Sequence, residues 1–112
     1  EFHPFVWMYD DNFEIIKYNY FNEAPIAETE TGTYADKNAN IAQSYVTWNH
    51  SISEVVQSLL RNNLELLLLE EFDYSPYNVF NNMIATAPNK FQIQHLNNKV
   101  PLVYALTAKK KK

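Results

Sequence analysis

Glycine is nearly absent from this chain: 112 residues contain one, Gly32. Average usage of roughly 7% would give about eight. A phosphate-cradling loop needs several glycines, for tight turns and for close approach of backbone to ligand. No such loop can be built here, so a nucleotide or dinucleotide site of the usual kind is excluded from the chain. The remaining sequence is 46% hydrophobic and 20% charged, which reads as globular rather than disordered. Its length suits one small domain, 1–112, with one core.

Other classes fall away for simple reasons. The net charge is -4, and the only basic run is Lys109–Lys112 at the very end. No basic stripe for nucleic acid exists, and the lysine tail reads as a solvated terminus. With no cysteine, disulfides and thiolate metal sites are excluded, which fits a reducing, cytoplasmic setting. Apolar runs such as Leu66–Leu69 are far too short to span a bilayer. Asn49-His50-Ser51 matches a glycosylation acceptor but, without secretory features, reads as a chance match. The abrupt apolar start at Glu1-Phe2-His3-Pro4, without an initiator Met, suggests a fragment.

Along the chain, apolar Phe2–Tyr9 is interrupted by Pro4 and reads as a strand end passing into a loop. Asp10-Asp11-Asn12 is a turn signal. Ile16, Tyr18 and Tyr20 alternate with polar residues, a strand pattern. Glu23–Asn40 reads as a long loop, and Ser44–Trp48 is extended and could pair with Ile15–Tyr20 as a two-stranded flap. Ser51-Ile52-Ser53-Glu54 is a capping box: Ser51 accepts from the Glu54 amide, and Glu54 reaches back to the Ser51 amide. Ile52, Val55, Val56, Leu59 and Leu60 form a helical stripe meant for a sheet, so a helix is predicted from about Ile52 to Asn62. Asn62 or Asn63 suits the left-handed position past its end. Leu64–Phe72 suits a strand buried on both faces. Asn78–Ile84 reads as a short helical turn, Pro88-Asn89-Lys90 as a turn, Phe91–Leu96 as a strand, Asn97-Asn98-Lys99 as a turn, and Val100–Ala108 as the final strand.

This order resembles the second half of a class I S-adenosylmethionine (SAM)-dependent methyltransferase. Glu1-Phe2-His3-Pro4 is similar to the end of the fifth strand in a bacterial branch of small methyltransferases. Glu28 to Asp36 is similar to that branch's insertion, and Ser44 to Ser51, followed by Glu54, to the approach to its next helix. Phe72-Asp73-Tyr74-Ser75-Pro76-Tyr77 stands where the segment after the sixth strand is found, and Pro101 to Leu106 where the last strand is found. The resemblance covers nearly the whole chain. It implies an α/β or α+β fold: the C-terminal part of a Rossmann-like sheet, with a capped helix, an antiparallel last pair of strands and an aromatic flap insertion. Residues 1–50 would be strand end plus flap, and 51–112 helix, strand, connection and strand. It also implies that SAM is the parent's cofactor and a small molecule its methyl acceptor. The family's glycine-rich loop and the acidic residue for the ribose hydroxyls are both missing, so this chain alone is expected to bind no SAM and to be inactive.

Methyl transfer asks the protein to position two reactants and exclude water, with a base only when the acceptor must lose a proton. His3 is the candidate base or substrate partner; the competing role is a structural hydrogen bond. His50, before the helix cap, either contacts substrate or packs at the helix start. His95 lies by a turn and reads as exposed. Trp7, Tyr34, Tyr45 and Trp48 either line an apolar substrate pocket, where they could meet a sulfonium, or fill the core. The spacing of the three histidines gives no local pair of metal ligands. Asp10-Asp11 and Glu70-Glu71 are adjacent, hence on opposite faces of extended chain, and make no carboxylate dyad. The alternative to an enzyme half is a non-catalytic α+β binding or interaction module with an aromatic pocket. On the methyltransferase pattern the final strand would have an open edge, which invites self-association.

Overall fold

The computed structural model describes residues 1–21, 23–32, 38 and 40–112. A 3-10 helix, Pro4–Met8, is followed by strands β1 (Ile26–Thr31) and β2 (Ala42–Thr47). Helix α1 (Ile52–Arg61) leads into β3 (Leu64–Phe72), then β4 (Met83–Ala87), β5 (Lys90–Ile93) and β6 (Val103–Lys110). The described strands form three antiparallel pairs, β1–β2, β3–β6 and β4–β5. The fold is α+β, with one α-helix among the described residues.

Helix α1 follows from local chemistry. The Ser51 hydroxyl accepts from the Glu54 amide at 3.2 Å, as a cap should. The reciprocal half of the predicted box does not form: the Glu54 carboxylate meets His50 Nδ1 at 3.0 Å instead. Another free amide of the first turn, that of Ile52, donates to the Tyr20 hydroxyl at 3.0 Å. Asn63, at φ 64°, takes the left-handed turn that ends the helix and starts β3.

Several expectations are corrected. Phe2–Tyr9 is not a strand end throughout. Pro4 sits in the first turn of a 3-10 helix, where its missing N–H costs nothing, and only Phe2 bridges to β6. Ile16, Tyr18 and Tyr20 form no strand; Ile16 makes a single bridge to Tyr9. The flap is real, but its partners differ: β2 pairs with β1, in the register Glu28↔Tyr45 and Glu30↔Gln43, inside the segment expected to be loop. Asn78–Ile84 is a turn running into β4, with no helix. β3 is not buried on both faces: Leu67, Leu68 and Leu69 are exposed.

The core lies elsewhere than the helix stripe suggested. Val6, Phe13, Ile93 and Leu102 are buried together, with Tyr9, Phe80, Met83, Leu96, Val100 and Val103 packed around them. It joins the 3-10 helix and its following turn to the β4–β5 hairpin and the approach to β6. No residue of α1 is fully buried.

β6 has neighbours on two sides. It pairs antiparallel with β3 from Val103↔Phe72 to Lys110↔Leu64. On its other side Phe2 bridges Val103, also antiparallel, and the Tyr104 amide donates to the Glu1 carbonyl at 2.9 Å. That second pairing ends at Tyr104.

Candidate functional site

A groove of about 570 Å³ opens between the β1–β2 hairpin and the body. The body wall comes from the end of the 3-10 helix, the turn after it and residues 79–81. Asp10 sets that turn: its Oδ1 accepts from the amides of Glu14 at 2.7 Å and Ile15 at 3.0 Å. Those bonds, the Ile15 amide first, hold its carboxyl below the usual carboxylate range. Phe13 takes a left-handed φ of 58°, an unfavourable region for a bulky residue. Burial of its ring in the core, and the bond from His95 Nε2 to its carbonyl at 2.6 Å, offset that strain.

The groove has two kinds of surface. Trp7, Tyr9, Phe13 and Phe80 give aromatic area. Trp7 and Phe80 meet edge-to-face with centroids 6.0 Å apart, and Trp7 is still 41% exposed. Asp10 and Asp11 on the body, with Glu28 and Glu30 on the hairpin, give the charge. Among the described residues no lysine, arginine or histidine lines it. Its field reaches Tyr45, whose phenol is pushed up to about 12 by partial burial first, then by Glu30, Glu28 and Asp11. The Tyr45 hydroxyl lies 3.5 Å from Glu28 Oε2.

The residues singled out from sequence are not all gathered here. Trp7 lines the groove; Tyr45 touches it only through Glu28. Trp48 and His50 are exposed outside it, the latter held by Glu54. Tyr34 lies outside the described residues. His3 is buried at 2% exposure, away from the groove. Its Nδ1 accepts from the Phe5 amide at 3.2 Å, capping the 3-10 helix, and its Nε2 faces Glu71 Oε2 at 2.6 Å. An amide can only donate, so the ring carries its proton on Nε2 and gives it to Glu71. Both nitrogens are therefore engaged, one in a cap and one in a strut to β3.

Asn49 is the important residue that sequence reasoning missed. It is 3% exposed, and its Nδ2 sits 3.3 Å from each of three carbonyls, those of Pro4, Asn19 and Tyr20. This ties the 3-10 helix and the aromatic segment to the start of α1. Its Oδ1 is buried without a partner among the described residues. The one available signal was a polar residue between Trp48 and the cap Ser51. Its burial also hides the glycosylation match from any glycan-transferring enzyme in the folded state.

Among the described residues nothing forms the glycine-rich loop that the resemblance implies for SAM. Gly32, at φ 82°, follows the first strand of a hairpin, with its amide on the Ile41 carbonyl at 2.8 Å. Among the described residues no group of His, Asp or Glu could hold a metal ion, and no helix is long and apolar enough to cross a membrane. No protein-family profile, curated protein or solved structure matches the chain.

Proposed function

We propose that this chain is the substrate-side half of a SAM-dependent methyltransferase of small molecules, silent by itself. One observation carries the reading. β6 lies between the Glu1–His3 segment and β3, antiparallel to both, after a capped helix that feeds β3. A final strand inserted antiparallel between the fifth and sixth is the expected end of a class I methyltransferase sheet. On this reading the groove beside Trp7 is part of the acceptor wall, SAM is held by sequence preceding Glu1, and the setting is cytoplasmic. His3 supports the wall from β3 rather than taking a proton.

The coding sequence upstream of Glu1 tests the parentage. A strand followed by a glycine-rich loop supports it; an unrelated sequence there sinks it. Calorimetry with SAM tests the division of labour. The 112 residues should give no binding heat, and tight binding would overturn the idea of a silent half. A second reading, a non-catalytic binding module, is favoured by the engagement of both His3 nitrogens, which leaves no free base at the one catalytic candidate.

A further inference from the structure

The groove described above presents a combination that the methyltransferase reading does not require. Its aromatic wall is open: Trp7 is 41% exposed although it packs against Phe80. Among the described residues its ionisable lining is acidic, with Asp10 and Asp11 on one wall and Glu28 and Glu30 on the other. None of the four carboxylates has a salt-bridge partner among the described residues. Lys17 feels Glu28 and Asp11, but it lies over the Tyr18 ring at 5.3 Å and lines a separate, smaller cavity.

Size and chemistry select the ligand class. The acidic side chains are not grouped closely enough to ligate a metal ion. A volume of about 570 Å³ is in the range that holds small organic ligands. A cation is attracted by the face of an indole ring, and it relieves repulsion between carboxylates that face one another. An anion would meet four like charges, and a neutral apolar molecule would leave them uncompensated. We infer that this groove binds an organic monocation, an amine or quaternary ammonium with an apolar body, between the Trp7–Phe80 wall and the carboxylates of the β1–β2 hairpin. The inference stands whether or not the chain is half of a methyltransferase.

The test uses Trp7 fluorescence in a Trp48→Phe chain, where Trp7 is the sole tryptophan, exposed Trp48 being simple to replace. Choline is the probe, and 3,3-dimethylbutan-1-ol is its neutral counterpart of nearly equal shape. Choline should give a saturable change and bind about tenfold tighter than the alcohol, one cation–π contact plus two exposed charge pairs. Its binding should weaken as salt is raised from low to physiological ionic strength, while that of the alcohol should not. Replacing exposed Asp11 and Glu30 together, Asp11→Asn with Glu30→Gln, should remove most of the choline preference. Equal binding of the two probes, no salt dependence, or no saturable change with choline would each overturn the inference. The salt series decides even if the double variant misfolds. A SAM titration of the same protein is independent of these results, so failure of one reading is distinguishable from failure of the other.

Discussion

Asn49 carries more of this fold than its place in the sequence suggests. Three carbonyls from two distant segments converge on one amide nitrogen, the bond to Pro4 buried and those to Asn19 and Tyr20 partly buried, and all three lose that donor without it. Asn49→Ala should therefore cost about 2 kcal/mol in urea unfolding. Asn49→Asp places a carboxylate where a donor is needed, so it should cost at least about 1 kcal/mol more at neutral pH. Equal midpoints for the two variants would mean the amide is not a donor there. No periodic pattern announces such a residue, because its partners lie 45, 30 and 29 positions away. The same scale resolves the shortage of glycine. Left-handed backbone at positions 63, 82, 89 and 97 is supplied by asparagine, the residue that tolerates it best after glycine. The shortage excludes a phosphate loop, yet it does not forbid tight turns, and the turns at 88–89 and 97–99 were legible for that reason.

Elements with local signals were readable; elements that depend on distant pairing were not. Helix α1 was legible within one residue of its observed end because cap, stripe and left-handed stop all lie inside thirteen positions. Ser51→Ala should lower stability by about 1 kcal/mol, seen as a lower urea midpoint with unchanged slope. A change in slope instead would mean that Ser51 acts on compactness beyond its cap. β1 gave no signal because Glu28, Thr29, Glu30 and Thr31 are polar on both faces, and a strand standing clear of the core needs no apolar alternation. Ile16, Tyr18 and Tyr20 show the converse. They alternate, but chain extended over an aromatic neighbour, as Tyr20 lies against Phe5 at 5.5 Å, produces the same pattern without a strand partner. The candidate site inherits this split. Trp7 was readable as one of four aromatics that either line a pocket or fill the core, whereas the acidic wall of Glu28 and Glu30 exists only through the β1–β2 pairing.

At the scale of the whole molecule, the chain is looser than its length predicts. Its radius of gyration is 15.7 Å, against roughly 13 Å for a compact domain of this size. Four of the described residues form the buried hydrophobic cluster, while Leu60, Leu67, Leu68 and Leu69 remain exposed. Burial of such surface is the main favourable term in association, so this chain has reason to acquire a partner. The edge of β6 gives that association a direction. Tyr104 sends both its N–H and its C=O to Glu1, so by alternation the N–H groups of Leu106 and Ala108 face the edge beyond. We propose that a second copy pairs antiparallel on this edge, joining two β3–β6 pairs into one sheet. With Ala108 opposite Ala108 of the second copy, Lys111 would lie opposite Ala105. The β3–β6 register puts Glu70 one strand further along the same row, within reach of the lysine across a small side chain. Light scattering at high protein concentration should then report a dimer. Ala108→Pro removes an edge donor without touching the β3 ladder, and should return the chain to monomer with its circular dichroism unchanged. A wild-type chain that stays monomeric as concentration rises would reject this arrangement, and the exposed leucines would then have to be covered by a different partner.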